Sequence, residues 1–204
     1  MLDNPYYLAA SIPGFLFGLT FHEYAHARVA DLMGDRTARM LGRVTLDPMK
    51  HLDLVGTLLF FLTGFGWAKP VPVTPDNFRG NKRVADILVS LAGPGANFLL
   101  ALISLIILKV AGAALGQIGG DILYIAVEVN IMLAALNLMP IPPLDGSHVL
   151  FNLWKRPPGW VYFLYNNGTV ILILLLLTGM LGTIMTPFMN VIRVLLDVLT
   201  AFLG

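Results

Sequence analysis

Apolar residues run together over 7–33, 84–112, 121–139 and 161–181. Each run comes close to the roughly 20 residues that a helix needs to cross the hydrocarbon of a bilayer. The pattern predicts four membrane-spanning helices there. Residues 54–64 are also apolar, but about eleven residues suit a re-entrant or half-buried element better than a full crossing. The last segment, 187–203, opens on Pro187 and carries Asn190, Arg193, Asp197 and Thr200 at steps of three, four and three. That spacing draws a narrow polar stripe along a helix otherwise apolar all round, which either packs against protein or lies at the membrane interface. The expected architecture is an all-α polytopic membrane protein of about four to six transmembrane helices with a short re-entrant β-like loop. It forms one domain over 1–204, with the re-entrant or extended segment near 52–78 and an amphipathic or membrane helix near 183–204.

Composition narrows the class. Of the 204 residues, 57% are hydrophobic and 12% charged, whereas a soluble domain carries about 25% charged residues. The net charge of +1, with no basic cluster, argues against nucleic acid as a partner. Without cysteine the chain has no disulfide, no thiolate metal ligand and no cysteine nucleophile. No cleavable signal peptide is expected, because the N-terminus lacks a positively charged leading region.

Basic residues set the expected topology. If the segment around 54–67 dips in and returns, Arg28, Arg36, Arg39, Arg43, Lys50, Lys69, Arg79, Lys82, Arg83, Lys155 and Arg156 share one side, with only Lys109 opposite and Arg193 undecided. The positive-inside rule makes that side the cytoplasm and puts the N-terminus outside. The site described next then lies nearer the cytoplasmic face of a cell membrane.

The first apolar run contains His22-Glu23-Tyr24-Ala25-His26. Residues four apart stack on one helix face about 6 Å apart along the axis, so both imidazoles reach one metal ion. Glu23 is then placed as a general base toward water. Ionisable groups at bilayer depth cost free energy and are functional candidates by default. A catalytic zinc usually takes three protein ligands, and His51, Asp53, Glu128, Asp145 and His148 are candidates for the third. Asp145 stands out by context. It follows Pro140, Pro142 and Pro143, which break the helix, and precedes Gly146, which lets backbone approach closely. A broken helix at membrane depth belongs where it is buried in protein or lines a wet cavity. His148 lies one turn beyond on the same face, and bare spacing does not separate the two.

Two more stretches carry chemistry. Ser90-Leu91-Ala92-Gly93-Pro94-Gly95-Ala96-Asn97 is expected to interrupt its span, since proline removes one helical hydrogen bond. Ser90, Gly93, Asn97, Ala101 and Ser104 also make a small-residue stripe suited to close helix packing. The stretch from Gly64 to Pro75, with Gly66 and Trp67 at its start, reads as extended. Pro70 and Pro72 remove two donors from one edge, Thr74 shares their parity, and the edge of Val71 and Val73 stays intact. That edge is a candidate to hold a substrate peptide by strand addition, against the plainer reading of an internally paired hairpin.

HExxH within one span and Asn137-Leu138-Met139-Pro140-Ile141-Pro142-Pro143-Leu144-Asp145-Gly146 closing a later one together resemble the site-2 protease family of intramembrane zinc metalloproteases. The resemblance covers most of the chain, from about His22 to Asp145. It implies one zinc held by His22, His26 and Asp145, with Glu23 as catalytic base, and it favours Asp145 over His148. It further implies that Asn97 helps hold the substrate carbonyl or its oxyanion. The glycine-rich loop from Gly64 is similar to one thought to form a re-entrant sheet in the family. The expected substrate is a transmembrane protein cleaved within or beside its spanning segment, and the expected form is a minimal one without PDZ or CBS domain. His51, His148 and Glu128 are read as polar contacts within the bundle.

Two other functions compete. An ion or proton transporter also places His, Glu and Asp in the membrane, but it predicts internal repeats of the spans, and none is found. A catalytically silent scaffold would be expected to have lost part of the metal motif, which is complete.

Overall fold

The computed structural model describes residues 5–63 and 66–203. They are predominantly helical: α1 (Pro5–Leu32), α2 (Thr37–Met40), α3 (Leu54–Thr63), α4 (Lys82–Ala111), α5 (Gly116–Leu138), α6 (Asp145–Asn152), α7 (Gly159–Leu177) and α8 (Met180–Thr200). Among the described residues three stretches are long and apolar enough to cross a membrane: Lys82–Leu138, which holds α4 and α5, then Gly159–Leu177 and Met180–Leu203. The 28-residue α1, which carries His22, Glu23, His26, Arg28 and Asp31, is not among them.

The centre is a bundle of α1, α4 and α5, and small residues let it close. A Cβ added at Gly14 of α1 would lie 2.8 Å from the Cα of Ala126 on α5. Next to that crossing, Phe15 and Leu19 of α1 bury against Ile125, Val129 and Leu133 of α5. On the other flank Ala101 of α4 and Val127, Ile131, Ala134 and Ala135 of α5 pack with Leu181, Met185, Ile192 and Leu196 of α8. Burial of each large side chain contributes on the order of 1.5–3 kcal/mol against water. Where the neighbour is lipid, close packing of small residues carries more of the association.

Helix boundaries correct the sequence reading at two prolines. Pro94 does not interrupt α4, which runs 30 residues from its cap at Asn81 through the proline. Ser90, Gly93, Pro94 and Asn97 are all buried, so packing holds the helix across a lost bond that costs about 3 kcal/mol. Nor does Pro187 open the last helix. The break falls at Gly179, whose φ of +72° favours glycine, and α8 then runs from Met180 through Pro187. The polar stripe of α8 divides: Arg193 bonds Glu128 of α5 at 2.6 Å, and Thr200 is fully buried with its carbonyl accepting from Lys109 of α4 at 3.3 Å. Asn190 and Asp197 are exposed.

The segment after α2 leaves the bundle and returns to the point it left. Leu52 and Ala68 form an isolated antiparallel bridge, and Lys69 N–H donates to the His51 carbonyl at 2.7 Å. Between them α3 has 10 residues, about 15 Å of helix, half the thickness of a bilayer core. Asp53 caps α3 by accepting the Gly56 N–H at 2.8 Å. A Cβ at Gly56 would lie 2.2 Å from the Trp67 carbonyl, so α3 rests directly on the returning chain. No strand forms among the described residues. The extended stretch is instead tied to the bundle by side chains.

Asp35, between α1 and α2, makes the strongest of these ties. Its fully buried carboxylate accepts from Thr37 N–H at 3.1 Å, Thr37 Oγ1 at 2.5 Å, Asn77 Nδ2 at 2.9 Å and Thr74 N–H at 2.7 Å. Burial alone would push this carboxyl up, and the four donors more than reverse it, holding it below the ordinary carboxylate range. Thr74 N–H is therefore engaged, not idle on a blunted edge. Asp35→Ala strips these donors of their acceptor, at about 1–3 kcal/mol for each one left unpaired. Limited proteolysis of the full chain is expected to cut within 72–80 faster than in the parent protein, and equal resistance would show that the donors find other acceptors.

Candidate metal centre

His22 and His26 stand one turn apart on α1, and Asp145 is the first residue of α6. Asp145 reaches them because α5 ends at Leu138 and the proline loop turns the chain back over the bundle. Glycine makes that turn possible twice. A Cβ at Gly146 would lie 2.3 Å from the Leu138 carbonyl, and one at Gly168 of α7 would lie 2.5 Å from the Pro142 carbonyl. The result is a tight cluster. His22 Nε2 and His26 Nε2 are 3.0 Å apart, and Asp145 Oδ2 lies 3.2 Å from the first and 3.3 Å from the second. Ligand atoms of these three residues all lie within 4.8 Å of one another, and among the described residues they are the group placed to hold a metal ion.

The protons on the imidazoles follow from their partners. His26 Nδ1 faces the Val89 carbonyl of α4 at 2.7 Å, and a carbonyl only accepts, so Nδ1 carries a proton and the neutral ring presents a lone pair at Nε2. His22 Nδ1 faces Asn97 Oδ1 at 2.7 Å, with the same consequence. Asp145 Oδ2 is buried and has no hydrogen-bond donor. With both rings neutral, three acceptor atoms crowd together, a contact that a cation relieves. Two imidazoles and a carboxylate are also a known donor set for a catalytic metal. Gly93 of α4 gives the cluster its room: a Cβ there would lie 2.3 Å from His26 Nε2 and 2.5 Å from His22 Cε1. The residues present fit a metal ion.

Glu23 is buried at 8% exposure, and one carboxylate oxygen accepts the Val71 N–H at 2.8 Å. The extended segment therefore lies against Glu23, and the edge expected to be open at Val71 is occupied here. Arg43 holds the same segment from the other side through the carbonyls of Lys69, at 2.7 Å, and Pro70, at 3.3 Å. The Val73 side chain packs with Ala30, Phe78, Ala85 and Val89. Trp67 is 44% exposed, Gly66 is half-buried, and Gly64 lies outside the described residues.

Asn97 is fully buried and its amide is committed. Its oxygen meets His22, and its nitrogen donates to the Gly18 carbonyl and to Asn130 Oδ1, both at 3.0 Å. It has no N–H left for a substrate oxyanion in this arrangement. The remaining ligand candidates lie outside the cluster. His51 is buried with Nε2 on the Thr45 carbonyl, Asp53 caps α3, Glu128 pairs with Arg193, and His148 faces Asp86 at 3.4 Å. Sequence reasoning missed Arg43, Asp35 and Asn130. The contacts by which Arg43 and Asp35 hold the extended segment lie 26 to 42 residues away in the chain, and nothing in their local sequence marks those partners. For Asn130, an amide inside an apolar span was the available signal.

Comparison with known proteins gives the family. A model of peptidase family M50 matches residues 10–119 and 109–177. The chain is 38% identical over 196 residues to YwhC of Bacillus subtilis, covering 91% of this chain and 86% of that protein. It is 33% identical over 144 residues to Rip2 of Mycobacterium tuberculosis, where it spans about half that protein's length: 68% of this chain and 55% of the relative. Both are named, provisionally, zinc metalloproteases. MJ0392 of Methanocaldococcus jannaschii, named a zinc metalloprotease, is 26% identical over 57% of this chain and 33% of its own. No solved structure matches the chain. On the extent of the family match and the length of the alignment to YwhC, this chain belongs to peptidase family M50, the site-2 protease family.

Proposed function

We propose that the protein is a zinc endopeptidase that cleaves transmembrane proteins within or beside their membrane-spanning segments. The observation that carries the reading is the convergence of His22 Nε2, His26 Nε2 and Asp145 Oδ2 with both Nδ1 protons already spent elsewhere. Those three atoms would hold one zinc ion per chain. When bound, the ion supplies Lewis acidity to a peptide carbonyl and lowers the pKa of water.

The chain's own residues do the rest. Glu23 takes a proton from the attacking water and delivers it to the leaving amine nitrogen, so each cleavage returns the carboxylate to its starting charge. The Val71 N–H fixes one oxygen of that carboxylate and leaves lone pairs on the other for the proton. Asn97 and the Val89 carbonyl keep both imidazoles oriented, and Asn97 serves the reaction through His22.

A scissile segment has to leave its helical form before water attacks it, and the stretch 66–73 supplies an extended backbone beside Glu23. No hydrogen bond among the described residues engages the Val73 N–H. Strand addition along this stretch, with Gly66, Trp67 and Val71 as neighbours, is the reading for substrate, supported by the contact to Glu23. The short excursion of α3 and its return at Leu52 and Ala68 support a re-entrant loop and, with the basic residues, a multi-pass cell-membrane protein with its N-terminus outside.

Purified protein is expected to carry one zinc per chain and Asp145→Ala to lose it, read by elemental analysis. Unchanged zinc in the variant would move the third ligand elsewhere, with His148 next. Glu23→Gln keeps shape without basicity, so it should retain zinc while cleavage of a model transmembrane substrate falls by about 10²- to 10⁴-fold. Turnover at the parent rate would remove Glu23 from the role of base. Gly93→Ala should fold and lose zinc, because its methyl takes the space of the ligand nitrogens. Gly95→Ala faces open space and is the matched comparison, so equal zinc contents would show that α4 yields at Gly93.

A further inference from the structure

Two linked amides, Asn97 of α4 and Asn130 of α5, tie the cluster to backbone carbonyls of α1. Asn130 lies in the middle of α5 at 2% exposure, among apolar residues where an unpaired amide costs several kcal/mol. Its Nδ2 faces the Ala126 carbonyl at 2.9 Å and the Gly14 carbonyl of α1 at 3.5 Å. Both partners accept only, so the amide nitrogen points at them and the Asn130 oxygen points at Asn97. Asn97 obeys the same logic. Its nitrogen meets two acceptors, the Gly18 carbonyl and Asn130 Oδ1, which turns its own oxygen toward His22 Nδ1. Reversing either amide would set donor against donor or acceptor against acceptor at several contacts at once. Gly18 serves the pair twice. Its carbonyl takes the Asn97 proton, and its lack of a Cβ leaves room for Asn130 Oδ1, which would otherwise lie 3.0 Å from that carbon.

We propose that Asn130 is a positioning residue for the metal centre: through Asn97 it fixes which nitrogen of His22 carries the proton, and so how tightly the cluster binds metal. Without Asn130, Asn97 loses one of its two acceptors and its amide is freer to turn, presenting a donor to His22 Nδ1. The imidazole proton then moves to Nε2, the atom that faces the metal. An outer partner of a ligating histidine typically contributes 10–100-fold in metal affinity. The inference rests on the reading of His22, His26 and Asp145 as zinc ligands.

The test measures zinc affinity of the full chain in detergent, by competition with a chromophoric chelator. The proteins are the parent, Asn130→Leu, Asn97→Leu, the double variant and Asp145→Ala. Asn130→Leu is expected to weaken zinc 10–100-fold, Asn97→Leu at least as much, and the double variant no more than Asn97→Leu alone. An asparagine that affects zinc by a route independent of Asn97 would give losses that add. Asn167→Leu of α7, whose amide makes the same bond to the carbonyl four residues back, should bind zinc like the parent. Should Asn130→Leu fail to fold, Asn130→Ala carries the comparison without added bulk. Parent-like affinity in the Asn130 variants, or additive losses in the double variant, overturns the relay. Parent-like affinity in Asp145→Ala instead overturns the ligand reading beneath it.

Discussion

Three acceptor atoms held about 3 Å apart inside an apolar bundle are the constraint on which the structure depends. With both imidazoles neutral, lone pairs repel at that range, and low dielectric sharpens the repulsion. The fold holds them by spending the other ends of the same side chains: His26 on a carbonyl of α4, and His22 on an amide of α4 that is braced by α5. Asp145 comes from a third direction, at the start of α6. Preorganisation of this kind places the cost of assembling the site on folding and not on ligand binding.

Small residues are where that cost appears in the chain. Gly14 and Gly18 bring α1 against α5, Gly93 gives the imidazoles their space, and Gly146 and Gly168 let the proline loop fold onto the helices beside it. At each of these positions a methyl group would meet a neighbouring atom at 2.8 Å or less. The same glycines that weaken helices in water permit the close approach that drives association where lipid replaces water.

The extended stretch after α3 shows the same economy with side chains in place of a sheet. Asp35 takes Thr74 and Asn77, Arg43 takes the carbonyls of Lys69 and Pro70, and Glu23 takes Val71. Prolines had already removed two of its backbone donors, so a regular ladder was closed to it. Buried charged groups supply the missing partners, and the segment is thereby laid against the glutamate of the motif.

The sequence by itself determined the helical class, the short excursion near 54–67, the HExxH pair and the special standing of Asp145. Each rests on local information: run length against bilayer thickness, a four-residue helical spacing, and prolines that end a helix before an aspartate. Two prolines misled the same reading, because a lone ring inside a helix costs about 3 kcal/mol, and packing along α4 and α8 outweighs it. Only the tertiary structure decided that Asn97 faces a histidine with no N–H to spare, that Val71 meets Glu23, and that Asp35, Arg43 and Asn130 matter at all. Their long-range partners lie 26 to 116 residues away, and hydrogen bonds over such separations are fixed by how helices cross, which no local pattern of residues records.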